Sequence, residues 1–216
     1  MNFSFPQGRI LIFAKAPVPG KAKTRLHPRL SMQQCAQLQQ RFIEHTLRAC
    51  VDSGLCAMEL WCAGDDAHPF FQDCLQRYPM DLQVQHGDDL GSRMLHALEQ
   101  TLQTAKFAMI VGTDCPAMRP IHLQSAAEIL DAKTRSHVLF IPAEDGGYVL
   151  LGANCAPSEL NENIVWSGDN VMEQSRQNLI KANIDFTELE PLWDVDRPED
   201  LERLKTFPHL METTTR

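Results

Sequence analysis

Apolar and polar positions alternate in two rhythms along this chain. Short apolar-rich runs at Arg9–Phe13 (RILIF), Ala57–Ala63 (AMELWCA), Phe107–Gly112 (FAMIVG), 137–143 (HVLFIPA) and 148–153 (YVLLGA) have the length of buried strands. Two weaker runs, DLQVQ at 81–85 and IDFTELE at 184–190, predict shorter strands. Between these runs the period changes to that of a helix. Leu38, Phe42, Thr46 and Ala49 recur at helical spacing behind Ser31, whose Ser-x-x-Gln pattern is a capping box, and Gly54 supplies a stop. HPFFQDCLQRY predicts a short helix with Phe71, Cys74, Leu75 and Tyr78 on one side. Leu90, Met94, Leu98 and Leu102 mark another helix, and PIHLQSAAEILDA begins one with a first-turn proline. NVMEQSRQNLIKA and PEDLERLKTF predict the last two helices, and the tail METTTR is expected to fray.

Strands alternating with helices of this length predict an α/β fold with a mostly parallel sheet covered by helices. No repeat, low-complexity tract or linker divides the 216 residues, so one domain is expected over 1–216. Hydrophobic content of 44% and charged content of 22% are ordinary for a soluble globular protein. The net charge of −8 argues against a general nucleic-acid binder. No apolar stretch approaches the length of a membrane span, and MNFSFPQGR lacks the basic and apolar regions of a signal peptide. Seven scattered cysteines without a CxxC pair fit reduced, buried thiols, so a cytoplasmic location is expected. Oligomeric state is left open by the sequence.

Sheets of this kind bind ligands beyond the carboxyl ends of their strands, which singles out a few loops. After RILIF comes FAKAPVPGKAKTRL, which concentrates Lys15, Lys21, Lys23 and Arg25 in an otherwise acidic chain. If the loop is extended, Lys21, Lys23 and Arg25 point the same way, a pattern suited to a phosphate chain. The other reading is a solvated basic loop. A Walker loop is excluded by Ala22, which follows Lys21 where Ser or Thr is required. In VGTDCP, Asp114 ends an apolar strand and suits a Mg²⁺ that bridges phosphates, or caps a turn before Pro116. In LWDVDRPEDL, Asp194 and Asp196 offer a hard cation two acids in three residues, while Asp196 also suits capping of the final helix. Asp114 plus Asp196 would suffice for Mg²⁺. In GDDLGSRM, Gly91 would admit a ligand to a helix N-terminus, or serve a plain turn. Glu144-Asp145-Gly146-Gly147 is either a tight hairpin or the rim of an acceptor pocket, with Trp166-Ser167 as one wall. No nucleophile with an adjacent base, no HExxH and no GxSxG occurs.

FAKAPVPGKAKTRL, GDDLGSRM, GTDCPAM, EDGGYVLLG, VWSGDNV and WDVDRPEDL, in this order, together resemble a bacterial transferase family. That family is a domain-of-unknown-function group linked to glycosyl transfer in radical-SAM/selenodomain and arsenosugar gene contexts. It lies within the nucleotide-diphospho-sugar transferase (GT-A) superfamily, with phospholactate guanylyltransferase, molybdenum-cofactor nucleotidyltransferases and sugar-acid cytidylyltransferases as distant relatives. The resemblance spans about residues 9–204. It implies a Rossmann-like GT-A fold with a mixed, mostly parallel sheet of seven strands. It also implies Mg²⁺- or Mn²⁺-dependent transfer from a nucleotide or nucleotide-sugar donor to a small-molecule acceptor, with nucleotidyl transfer and non-catalytic nucleotide binding as alternatives. Asp114 and Asp196 match the metal carboxylates. Lys21, Lys23 and Arg25 match donor-phosphate positions, Lys15 is expected to bind the donor with them, and Gly91 and Arg93 match a nucleotide or sugar contact. Gly146 and Gly147 border the same ligand. Lys23, Asp114 and Asp145 are the expected catalytic groups, Asp145 acting on an acceptor hydroxyl. The GGxSxRMG loop usual in nucleotidyltransferases is absent here.

Overall fold

A computed structural model describes residues 2–166 and 168–211. Ser167 and the tail from 212, on which a pocket wall and fraying were expected, lie outside the described residues. Strands β1 (Gly8–Lys15), β2 (Ala57–Ala63), β3 (Met80–Val84), β4 (Phe107–Gly112), β5 (His137–Pro142), β6 (Tyr148–Ala153) and β7 (Asp185–Glu188) form one sheet in the order β3-β2-β1-β4-β6-β5-β7. All neighbours are parallel except β6, which runs antiparallel to both β4 and β5. Each expected strand is present in this sheet.

Alternation along the strands divides the core. Ile10 and Ile12 face one side, with Ile43 and Leu47 of α1 (Met32–Ser53), Phe71 and Cys74 of α2 (Pro69–Arg77), and Leu123 and Leu130 of α4 (Pro120–Ala132). Leu11 and Phe13 face the other side, with Met94 and Leu98 of α3 (Leu90–Thr101) and Met172 and Leu179 of α5 (Val171–Lys181). Helices therefore cover both faces, as continuous apolar strands require.

The capping box of α1 forms as the sequence predicts: Ser31 Oγ accepts from the Gln34 amide and Gln34 Oε1 accepts from the Ser31 amide. The final segment departs from expectation. One helix over 198–207 is replaced by α6 (Asp200–Leu204) and α7 (Pro208–Met211). Pro208 lacks the amide needed to continue the first helix, so it opens a second one.

A third apolar cluster is small but well placed. It joins Leu26 of the first loop, Leu38 and Phe42 of α1, Trp193 and Val195, and Leu201, Leu204 and Leu210 of the last helices. This packing ties three chain segments together beside the carboxyl ends of β1 and β4.

Phe107, the first residue of β4, is fully buried in the larger cluster that includes Ile10 and Ile12. Phe107→Ala is expected to lower unfolding free energy by about 3–5 kcal/mol, because a cavity replaces the ring. Equilibrium urea unfolding measures it.

Candidate active site

The first loop does not stay extended. Lys23 adopts a left-handed backbone conformation (φ 49°, ψ 41°) and a short 3₁₀ turn, Thr24–Leu26, follows. Ala22 and Leu26 drop into the core, so the three cations no longer point one way. Lys21 and Arg25 stay outside, while the Lys23 side chain is only 5% exposed. This corrects the extended-loop expectation. Local alternation yields to burial of Ala22, between the first two of these cations, and of Leu26, just after the third.

Lys23 Nζ lies 2.8 Å from Asp114 Oδ2 and donates to the Val195 carbonyl at 2.6 Å. It also sits 5.1 Å above the Phe42 ring. The Val195 amide donates to the Asp114 carbonyl at 2.9 Å. One ammonium group thus joins the loop after β1, the loop after β4 and the last loop. Gln39 of α1 supports the same corner. Its Nε2 donates to Thr113 Oγ1 at 3.3 Å, and Thr113 Oγ1 lies 3.5 Å from Asp114 Oδ1.

The last loop is held from its other side too. Leu192 bridges to Ala143 beyond β5, and the Glu144 amide donates to the Leu192 carbonyl at 3.1 Å. Val195 is fully buried, which leaves its flanking acids, Asp194 and Asp196, to line the cleft. Asp196 pairs with Arg25. Asp200 accepts from the Asp196 and Arg197 amides and closes the turn, the capping role that was an alternative for Asp196. Among the described residues, no hydrogen bond or ion pair satisfies the Asp194 carboxylate. Burial is the first cause that pushes its pKa up to about 7, followed by the charges of Asp145 and Asp114. Lys23 opposes the shift and Asp196 adds to it.

The cleft between these loops has a volume of about 470 Å³. Lys15, Lys21, Lys23, Arg25, Arg93, Asp114, Asp194 and Asp196 all line it, together with Gln39 and Tyr148. Asp114 and Asp196 therefore reach one mouth from loops far apart in sequence. A side chamber of about 200 Å³ shares Arg25, Leu90, Tyr148, Asp194 and Asp196 with the cleft. It adds Asp145, Gly147, Trp166 and Asp169. Asp145 Oδ1 accepts from the Gly147 amide at 3.0 Å, and Trp166 meets Tyr148 edge-on at 6.4 Å between ring centroids.

Two glycines lie outside this lining. A Cβ on Gly91 would stand 2.1 Å from both Asn161 Oδ1 and Trp166 Cζ2, so its absence lets α3 pack under Trp166. The N-terminus of α3 is also occupied, because Asp89 accepts from the Ser92 amide at 2.7 Å. The anion approach expected at Gly91 is thus replaced by packing and an internal cap. Gly146 has φ +94°, and a Cβ there would meet the Asp169 carbonyl at 1.8 Å, so it closes the β5–β6 hairpin against Asp169.

Among the described residues, no group of three or more His, Cys, Asp or Glu side chains is arranged to hold a metal ion. Mg²⁺ needs fewer, because substrate phosphates and waters complete its octahedron. Asp114, Asp194 and Asp196 are the carboxylates available. Unpaired Asp194 is the cation-deficient one, and it was passed over in favour of Asp196 at the sequence level. The alternation Asp194-Val195-Asp196 was the signal that both acids share a side. Asp169, Gln39, Thr113 and Tyr148 had no such signal. Cys115, next to Asp114, is buried and its thiol is pushed up to about 12 mainly by that burial, which leaves it a poor nucleophile.

This architecture defines a class, the Rossmann-like α/β fold shared by nucleotide-diphospho-sugar transferases and nucleotidyl transferases. The chain belongs to the DUF2064 family, uncharacterized proteins conserved in bacteria, whose model matches residues 46–168. That span includes Asp114 and Asp145 but neither the Lys23 loop nor Asp194. A solved structure of a candidate nucleotide-diphospho-sugar transferase from Desulfovibrio desulfuricans G20 superposes with a TM-score of 0.81 at 24% identity, covering 98% of this chain and 93% of that one. A nucleotidyl transferase from Methanothermobacter gives a TM-score of 0.59 at 13% identity, covering 95% and 98%. CMP:2-keto-3-deoxy-manno-octonic acid synthetase complexed with CTP gives 0.56 at 13% identity, covering 95% and 100%. No curated protein is detectably similar in sequence. No helix among the described residues is long and apolar enough to cross a membrane.

The Asp194 carboxyl carries a pH signature. Its native pKa lies above the ordinary value of 3.8, near 7. Between those limits the native state holds a proton that the unfolded chain has released, so stability falls as pH rises through the window. In chelator-treated protein, Asp194→Asn is expected to match wild type near the lower limit. It should exceed wild type in melting temperature by several degrees above the upper one, roughly in line with relief of one buried charge. Thermal unfolding followed against pH measures the divergence.

Proposed function

We propose that this protein is a Mg²⁺- or Mn²⁺-dependent transferase that uses a nucleotide-diphospho-sugar donor and a small-molecule acceptor. The observation that carries this reading is unpaired Asp194 beside the Lys23–Asp114 pair, in a cleft that also presents Lys15, Lys21 and Arg93. Acids without a cation and cations without an acid meet at one mouth, and a metal-bound diphosphate supplies both. Asp114 and Asp194, with Asp196 at the rim, would hold the ion. Bound there, it would act as a Lewis acid that stabilises the diphosphate leaving group. Lys15 and Lys21 attract phosphate oxygens, and Arg93, anchored by its Nε donating to the Gly87 carbonyl at 2.9 Å, faces the cleft beside them. At about 4 Å, each such charge pair contributes roughly 4 kcal/mol at an effective dielectric of 20 before desolvation. The side chamber fits the acceptor. Asp145, held by the Gly147 amide, takes the acceptor hydroxyl's proton, while Tyr148 and Trp166 wall the chamber and limit water.

Nucleotidyl transfer with pyrophosphate release is the second reading. It is favoured by the likeness to the synthetase complexed with CTP and to the Methanothermobacter nucleotidyl transferase. Against it, Lys23 and Arg25 are already committed to Asp114 and Asp196, which leaves fewer cations for a triphosphate.

Asp114→Asn and Asp194→Asn are each expected to weaken Mg²⁺-dependent binding of nucleotide sugars by at least about tenfold, or roughly 1.4 kcal/mol, in calorimetric titrations. Wild-type affinity in both variants would remove the metal site. With acceptor pools, release of nucleoside diphosphate from a nucleotide sugar supports the leading reading, and release of pyrophosphate from a nucleoside triphosphate supports the second.

A further inference from the structure

A second polar groove, of about 450 Å³, lies between α1, the start of α4 and α7, and it shares no lining residue with the cleft or its side chamber. Arg48 and His45 of α1, Arg119 at the start of α4, and His209 of α7 line it. His209 Nε2 and His45 Nδ1 stand 3.4 Å apart, with ring centroids at 5.5 Å. His45 Nε2 faces the Pro116 carbonyl and so carries its N–H, which leaves Nδ1 to accept from His209 Nε2, and charging both rings sets up a repulsion that an anion beside them would offset. Burial is the main cause that lowers the His45 pKa, and the charges of His209 and Arg48 lower it further. Among the described residues, neither Arg48 nor Arg119 forms an ion pair with a carboxylate. Arg48 is oriented by a hydrogen bond with Tyr78. Of the acids on the rim, Glu44 is engaged by Arg77 at 2.7 Å, which leaves Asp52 as the opposing charge. Pro120 begins α4 at this edge, so the positive end of a 13-residue helix adds to the field.

We propose that this groove binds a phosphate oxyanion, held by Arg119 and Arg48 with the His209 imidazole beside them. Arginine supplies planar bidentate donors matched to phosphate oxygens, and the protonated ring of His209 adds an N–H at Nδ1. The groove also reaches the cleft from behind. His45 Nε2 lies 3.0 Å from the Pro116 carbonyl, two residues beyond Asp114. An anion that draws on His209 therefore reaches, through its hydrogen bond to His45, the loop that carries Asp114.

The test follows the imidazole nitrogen resonances of His45 and His209 in the full chain. Inorganic phosphate and a simple phosphomonoester are titrated in separate experiments, against sodium chloride at matched ionic strength. Saturable shifts at about millimolar phosphate, or about 4 kcal/mol of binding, are expected for at least one probe. The tighter probe identifies whether free phosphate or a phosphomonoester is the ligand class. Lys21→Glu, which weakens phosphate at the cleft, should leave these shifts in place. Arg119→Glu should weaken them at least about tenfold while the rest of the spectrum stays folded. Arg48→Gln provides a second variant if the first disturbs the start of α4. Shifts that chloride reproduces, shifts lost in Lys21→Glu, or no saturable shift with either probe would overturn the proposal.

Discussion

A single buried ammonium group organises the functional end of this molecule. Lys23 is nearly sealed from water, so it must be paired where it lies. Asp114 and the Val195 carbonyl do this, and they belong to loops from opposite parts of the chain. Breaking such a pair from one side typically costs about 3–5 kcal/mol, because a charge is left uncompensated. Asp114 is 45% exposed, which places this pair toward the lower end. The consequence reaches beyond stability. The first loop, the β4 loop and the last loop are fixed relative to one another before any ligand arrives. Preorganisation of that kind leaves less entropy to be lost on binding.

The same constraint divides the charged residues into two sets. Lys23 and Arg25 neutralise acids of the protein itself, while Lys15, Lys21 and Arg93 face the cleft with no carboxylate within ion-pairing distance among the described residues. On the acidic side, Asp114 pairs with Lys23 and Asp196 with Arg25, while the Asp194 carboxylate has no hydrogen bond or ion pair among the described residues. The loop that reads as four equivalent cations therefore contains internal counter-ions and a separate anion-attracting rim. Sequence periodicity has no means of making this distinction, because it depends on which residue of the loop is dragged inward. Ala22 and Leu26 decide that: both are buried, and Leu26 packs in one cluster with Phe42, Trp193 and Val195.

Legibility followed the range of the interactions. All seven strands were readable, five as apolar-rich runs and β3 and β7 as shorter, weaker ones, and the start of α1 because Ser31 and Gln34 are one turn apart. The convergence of the Asp114 and Asp196 loops was readable from the rule that ligands gather at strand ends. Local geometry beyond that was not. Gly91 looked like an opening for a ligand, but the space beside it is filled by Trp166 and Asn161, which lie some seventy residues later in the chain. The sequence favoured Asp196 over Asp194 as a cation ligand, whereas in the fold Asp196 pairs with Arg25. Pairings between distant segments settle such choices, and no window of sequence contains them.

The reversed strand explains why the site has two chambers. β6 runs against β4 and β5, so its first residue, Tyr148, and the hairpin carrying Asp145 emerge at the edge where parallel β1 and β4 end. Had β6 been parallel, its opening residues would lie at the opposite edge of the sheet, far from Asp114. In the proposed reading, the parallel strands supply the charged donor side and the antiparallel pair supplies the aromatic and acidic acceptor side. Asp194 lies where the two chambers join, because Leu192 is bridged to Ala143 beyond β5 while Val195 is bonded to Asp114. A group between donor and acceptor must be placed from both directions at once, and this short segment is hydrogen-bonded on each side of it.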